Sequence, residues 1–303
     1  MAISRSQLVK ELEPGLNALF GLEYKRYENQ HAEIYNEESS DRAFEEEVML
    51  SGFANAQVKG EGSGVSFDEA QETFTARYTH ETVALAFAIT EEAIEDNLYD
   101  RLASRYTKAL ARSMSNAKQV KSVEPLIQGL PTTNNFDSGD GVSLFNTQHP
   151  TVAGTFANTL ATQSDLNETS LEQSMIDIAQ MTDERGLRIA ARGVKMIIPS
   201  ELQFTAERLM KSQGRTGTAD NDINAIVSMG MVPQGYRVNN YLTDSDAFYI
   251  LTDIPNGMKM FNRAPLTTAM EGDFDTGNVR YKARERYSFG VSDPRGIFGV
   301  EGA

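Results

Sequence analysis

TFTARYTHETVALAFAITEEAIEDNLYDRLASRYTKALARSMSNAKQVKS, residues 73–122, changes its hydrophobic period once, and that change decides the fold. Phe74, Ala76 and Tyr78 alternate with Thr73, Thr75 and Arg77, which is a strand pattern. Val83, Leu85, Phe87 and Ile89 then alternate with small residues. The apolar parity switches between Tyr78 and Val83, which predicts a bulge or twist. From Thr90 the period becomes helical: Ile94, Leu98, Leu102, Tyr106, Leu110, Met114 and Ala117 share one face. Thr90 suits an N-cap, Glu91 and Glu92 suit the positive helix end, and Lys118 and Lys121 suit the negative one. The pattern predicts a spine helix over 90–122, about 45–50 Å long at about 1.5 Å per residue. Pro125, Pro131 and the Asn134–Gly141 run are expected to end that region.

Upstream, residues 46–89 read as a long β-hairpin whose flexible tip is Lys59-Gly60-Glu61-Gly62-Ser63-Gly64. A two-stranded hairpin is marginal alone, so it calls for a partner surface. Residues 1–45 read as an arm. Leu8, Leu12, Leu16 and Leu19 have helical spacing, but Pro14-Gly15 interrupts it and predicts at most a short or broken helix. The polar run Asn36–Asp41 buries too little to form a core, so the arm is either flexible or packed on something else.

Downstream, residues 90–135 carry the spine, and residues 136–250 read as a separate α/β domain. Thr169-x-x-Glu172 and Ser200-x-x-Gln203 look like capping boxes opening two helices. Val194–Ile198, Tyr236–Asn240 and Ala247–Leu251 read as strands. The tail, 251–303, is β-rich. Val279, Tyr281, Ala283, Tyr287, Phe289 and Val291 share one face, with one polar break at Glu285, and Arg280, Lys282, Arg284 and Arg286 share the other. Ile297–Val300 is expected to close the same sheet. The fold class is therefore α+β.

Composition narrows the function classes. The chain has 303 residues, no Cys, three His and a net charge of −15. The missing thiols exclude a disulfide framework, a thiolate metal site and a Cys nucleophile. The acidic balance is opposite to that of most nucleic-acid binders. No signal peptide and no apolar run long enough for a membrane span is apparent.

The chemical motifs are weak. His31, His80 and His149 lack metal-ligand spacing. Gly60–Gly64 and Gly214–Thr218 lack the Lys-Ser/Thr pair of a phosphate loop. Asp220-x-Asp222-x-Asn224 begins like a calcium loop, but Ala225 and Met231 occupy its sixth and twelfth positions. No catalytic, cofactor or metal site is expected. The candidate inter-subunit contacts are Lys59, Glu61, Phe74 and Tyr78 in the hairpin and Arg280, Lys282, Arg284 and Arg286 in the tail. The basic residues are either a solvated strand face or a contact to acidic residues of a neighbouring copy, such as Glu37-Glu38 or Glu45-Glu46-Glu47.

The order of arm, hairpin, spine helix, α/β domain and returning strands resembles the HK97-like fold of tailed-bacteriophage major capsid proteins. Leu144-Phe145-Asn146-Thr147-Gln148-His149-Pro150, Pro199-Ser200-Glu201-Leu202 and Asp293-Pro294-Arg295-Gly296-Ile297-Phe298-Gly299 are similar to segments of the Mu-like major head subunits. The resemblance implies an extended loop lying over a neighbour, a peripheral domain built on the spine, an axial domain over 136–250 and a peripheral β-sheet over 251–303. It implies assembly in the host cytoplasm into hexamers and pentamers of an icosahedral head around double-stranded DNA, and residence in the virion. Partners would be other copies, a portal, a separate scaffolding protein, packaged DNA as a weakly contacted neighbour and, as an option, decoration proteins. Little room for a scaffold segment precedes the arm, and no acidic-plus-Asn set matches Lys59 for a cross-link. A minor head or decoration protein and a soluble α/β hydrolase using Asp137–Asp140 are the competing readings.

Overall fold

A computed structural model describes residues 5–90, 92–93, 99–133, 135–214, 223–273 and 277–303. The expected first turn of the spine around Ile94 and Leu98, and the calcium-like Asp220 and Asp222, lie outside the described residues.

Two four-stranded sheets organise the chain. The first has the order β1-β10-β11-β4, from β1 (Asn36–Ser39), β4 (Glu81–Ile89), β10 (Met258–Gly272) and β11 (Val279–Val291). The second has the order β12-β9-β7-β8, from β7 (Gly193–Ile198), β8 (Tyr236–Val238), β9 (Phe248–Thr252) and β12 (Ile297–Val300). The α+β class follows directly. The expected single closing sheet of the tail does not: β12 pairs with β9, opposite Phe248–Leu251. The Asp293–Gly296 turn redirects the chain. Asp293 caps it by accepting from the Arg295 backbone N–H, and Gly257 and Gly296 pass so closely that a Cβ on either would clash.

The hairpin is also different from its sequence reading. β2 (Phe44–Leu50) pairs with β3 (Glu72–Thr79), while β4 leaves this ribbon and pairs with β11. The parity switch falls at His80, between the two strands. His80 is buried, hydrogen-bonded to Ser40 at 2.9 Å and to Ser288 at 2.9 Å. The ribbon root is thus held by its own chain, and only residues 53–72 are exposed throughout.

The spine helix, α2, is described over Tyr99–Gln128 and continues through Pro125 rather than stopping there. Pro125 forfeits one helical hydrogen bond. Val123 and Leu126, both nearly fully buried, pack beside it in the core that also takes in Tyr249 and Ile297 of the second sheet and Met260 and Tyr287 of the first. That burial, about 1.5–3 kcal/mol per large apolar side chain, offsets the lost bond.

The same physics overrides Pro14. The arm forms a 22-residue helix, α1 (Arg5–Arg26), instead of a broken one. Leu16 and Phe20 are buried against Leu110, Met114 and Tyr281, so the helix docks on the spine and the first sheet of its own chain. Asn17 accepts hydrogen bonds from the hydroxyls of Thr268 and Tyr281, each at 2.8 Å.

In the second core, α3 (Glu168–Gln180) and α4 (Gln203–Lys211) cover the second sheet through Leu171, Met175, Ile178, Ala206 and Leu209. Both caps differ from expectation. α3 begins at Asn167, whose side chain accepts from the Ser170 N–H while Ser170 returns the bond. Ser200 opens a short 3-10 turn, Ser200–Leu202, that leads into α4 without a side-chain cap. Ser and Asn compete for the same capping geometry, and Asn167 lies two residues upstream of the Thr169 box. A last turn, α5 (Ala225–Ser228), is capped by the Asn224 side chain.

Candidate assembly surfaces and the buried junction

The two segments singled out by sequence, Leu144–Pro150 and Asp293–Gly299, meet in the structure. Asn158, fully buried, ties them. Its amide donates to the carbonyls of Leu144 at 2.6 Å and Pro294 at 3.0 Å, and its backbone carbonyl accepts from Gly299 N–H at 3.0 Å. Its side-chain oxygen accepts from Asn146 N–H at 2.9 Å and lies 3.0 Å from His149 Nε2. Gly299 is required here, because a Cβ would come within 2.6 Å of the Phe145 ring.

Two further side chains continue the junction. His149 is buried, 2.6 Å from Asp140 Oδ2, and stacks on Phe156 at 4.8 Å. Burial pushes the Asp140 carboxyl up, but His149, the Ser138 hydroxyl and the Val142 N–H together outweigh it and hold it below the usual carboxylate range. Arg295 also lies 4.3 Å from the centroid of the Phe156 ring. Its guanidinium reaches Glu184 at 2.5 Å, Asp293 at 3.3 Å and the Thr182 carbonyl at 2.8 Å. The motifs by themselves do not point to Asn158 or Glu184, and Asp140 enters the sequence reading only as part of the hydrolase alternative. The Asp137–Asp140 region offered to the hydrolase reading is a tight turn: Asp137 accepts from Gly139 and Gly141 N–H, and Asp140 is bound to buried His149.

Glu285, the polar break in the tail, is another buried carboxyl. It faces inward, 3.6 Å from Lys118 and 3.4 Å from the Tyr24 hydroxyl, both on the same carboxylate oxygen. The other oxygen has no hydrogen-bond partner among the described residues. Burial pushes this carboxyl above its ordinary value, with Lys118 and Tyr24 pulling against it. A carboxyl raised in the folded state costs stability once ionised. The cost is absent below the unfolded pKa and grows as pH climbs through the folded one. Glu285→Gln is therefore expected to gain stability relative to the natural chain as pH rises from about 4 to about 7, on top of a constant offset for the unpaired Lys118. Thermal unfolding across that pH range checks it; a flat difference would remove the carboxyl as the cause.

The expected contact residues separate. Lys59 and Glu61 are fully exposed at the loop tip, and Phe74 is half-buried at the loop-side end of β3. Tyr78 is not available to a neighbour: it is buried, its ring 4.8 Å from Phe261 and its hydroxyl 2.5 Å from Ser292. Arg280, Lys282 and Arg284 line the open face of the first sheet, with Arg280 held by Asp273, and Arg286 is half-buried near His80. Their flanking partners on β4 are Ala88, Ala86 and Ala84, which leave the basic stripe uncovered.

The acidic runs offered as partners for this stripe are engaged within the chain. Glu38 and Glu47 both hold Lys259, at 3.2 Å and 2.5 Å. Glu37 pairs with His31 at 3.1 Å, Glu46 with Arg77 at 3.6 Å, and Glu45 accepts from Ser40 at 2.7 Å. A 3-10 turn over Gln30–Glu33 further ties the second sheet to the spine: Lys195 of β7 binds Glu33 at 2.8 Å while Gln119 of the spine binds His31 at 2.9 Å.

Two sheets joined by such a buried junction, a spine helix and an extended exposed loop make up the architecture that the resemblance to shell subunits implies. Comparison with solved structures gives the same fold. The chain resembles a virus-like particle protein from Pyrococcus furiosus (12% identity, TM-score 0.51, covering 94% of this chain and 98% of that one). It also resembles the capsid of Myoviridae phage XM1 (11%, 0.53, 89% and 89%) and a chain of Mycobacterium phage Che8 (15%, 0.51, 91% and 93%). No curated protein sequence matches. A family profile described as phage capsid protein matches residues 72–300, and the chain belongs to that family. It is a major capsid protein with the HK97-like fold, a self-assembling structural subunit of the virion head.

Proposed function

We propose that copies of this chain form the hexamers and pentamers of an icosahedral head around double-stranded DNA, with the loop between β2 and β3 lying over an adjacent subunit. The observation that carries this reading is the loop itself. Phe53, Val58, Val65 and Phe67 are 61%, 102%, 65% and 93% exposed. Four large apolar side chains held in water by one loop mark a surface that expects a partner. The work of such a subunit is contact, and no catalytic step is assigned to it. Assembly would take place in the host cytoplasm with a separate scaffolding protein and a portal, with decoration proteins as further partners. The motifs around Asn146, Ser200 and Arg295 support a place near the Mu-like head subunits. Under this reading residues 136–250, with β12 added, form the axial domain, and the spine with the first sheet forms the peripheral one.

Size-exclusion chromatography followed by negative-stain microscopy of the purified chain, alone and with crowding agent, tests the proposal. Rings, sheets or closed shells are the expected result. A chain that stays monomeric at every concentration would overturn it.

A further inference from the structure

We propose that the outer edge of β4 is the acceptor for the loop of a second copy, which adds to the first sheet as a fifth strand through residues 61–67 and seats Val65 and Phe67 beside Leu85 and Tyr106. This rests on the reading of the chain as a lattice subunit and names where its loop lands.

The acceptor is an unguarded edge. β4 ends the order β1-β10-β11-β4, and among the described residues no strand pairs with its outer side. Sheet edges in soluble proteins are normally blunted by charge, proline, bulges or brevity. The opposite edge, β1, is four residues long and carries Glu37 and Glu38. β4 is nine residues long, and after Glu81 it reads TVALAFAI, without charge or proline. Its apolar layer is also unfinished. Phe87 packs on Tyr281 at 5.6 Å and Tyr106 at 5.8 Å, yet Leu85 and Tyr106 are each 48% exposed at the outer margin.

The donor has the complementary defect. The loop's backbone bonds lie mostly near its base, through Ser51, Ala54, Glu69 and Gln71, and among the described residues the Ser63 N–H, bonded to Gly60 O, is the one backbone group of 61–67 with a partner. Val65 and Phe67 stand two residues apart. In an extended strand that places both on one face about 7 Å apart, the spacing of Leu85 and Phe87. Gly64 and Ser66 would then fall on the open face beside Ala84 and Ala86, where only small side chains leave the basic stripe clear. Charge favours the approach. The segment 52–72 holds Glu61, Asp68, Glu69 and Glu72 against the one Lys59, a net of 1 − 4 = −3, and it nears Arg280, Lys282 and Arg284.

The occupant must come from another copy. β3 and β4 continue along β11 without reversing: Glu81 pairs with Tyr287, and the Tyr78 ring lies against Gly290. From Glu72 to Leu85 the ribbon therefore extends about 40 Å at about 3.4 Å per residue. Phe67, four residues beyond Gln71, has a reach of about 14 Å, too short to fold back.

The chain has no Cys, so introduced thiols report cleanly. Phe67→Cys and Leu85→Cys chains, purified separately, co-assembled and mildly oxidised, should give a disulfide-linked dimer on a non-reducing gel. Phe67→Cys with Val120→Cys, a comparably exposed position on the spine, should give only background. In the unsubstituted chain, amide exchange over residues 81–89 should slow by about tenfold or more on assembly, as strand pairing requires and side-chain contact alone does not. Shells that form with no preference for Leu85→Cys, or with β4 exchange unchanged, overturn the inference and leave the lattice reading intact. An unsubstituted chain that forms no shells overturns both.

Discussion

Replacing residues 52–70 by Asn-Gly should abolish shell formation while leaving the subunit folded. The splice is set by the structure. Ser51 N–H donates to Gln71 O at 2.9 Å, and Gln71 N–H donates to the Ser51 hydroxyl at 3.0 Å. The two residues already close a hairpin, and Asn-Gly supplies the positive φ values of the tight turn that joins such a pair. The loop contributes little to its own chain. It loses two contacts to Arg185, one from the Glu69 carbonyl at 2.5 Å and one from Asp68 at 3.9 Å. Shortening the closed loop recovers about 1–2 kcal/mol of chain entropy. Thermal unfolding of the variant should therefore match or slightly exceed that of the full chain. Assembly yield, counted by sedimentation and microscopy, should fall below detection, because every subunit loses the segment that reaches its neighbour. Shells at the original yield would take the loop out of the mechanism.

That contrast of a stable subunit and a lost lattice also marks where sequence reading was sound. The change from alternation to helical period located β3, β4 and the spine, since strand and helix periods cannot be confused over so many residues, but it did not show that β4 leaves the ribbon to pair with β11. The bare loop tip was visible in its glycines. The arm was misread because Pro14 carried more weight than Leu16 and Phe20. In a helix that buries two large side chains on its own spine, one forfeited hydrogen bond is the smaller term. Tyr78 was misassigned for a related reason. Alternation shows that a strand has an apolar face, and says nothing about whether the covering surface, here Phe261 and Gly290, lies far along the same chain. Glu38 and Glu47 looked free because their shared partner, Lys259, is more than two hundred residues away from them in sequence. Asn158 had no periodic signature at all. Its role comes from reaching five backbone and side-chain groups of two remote segments at once, which only the folded arrangement displays.

The largest loss of subunit stability is expected at Arg295. This guanidinium is 2% exposed as a residue and sits between two carboxylates. Arg295→Met keeps much of the volume against Phe156 but strands Glu184 and Asp293, and one Glu184 oxygen already lacks a hydrogen-bond partner among the described residues. Removing one member of a buried charge cluster typically costs about 3–5 kcal/mol. That is a large share of a stability of about 5–15 kcal/mol. Arg295→Lys should recover only part of it, since an ammonium cannot hold Glu184, Asp293 and the Thr182 carbonyl in one plane. Arg280→Ala, on the open sheet face, should stay within about 0.5 kcal/mol. The pH dependence separates charge from packing. Burial already pushes the Asp293 carboxyl up, and Arg295 is the main force holding it down. Without the cation that carboxyl rises further, and its ionised form costs more. The stability deficit of Arg295→Met should thus be greatest near neutral pH and narrow as pH falls and Asp293 takes up its proton in the folded state. Denaturant unfolding of the free subunit at several pH values measures this. A deficit that stayed constant down to acid would assign the loss to packing around Phe156 instead of to the stranded charge.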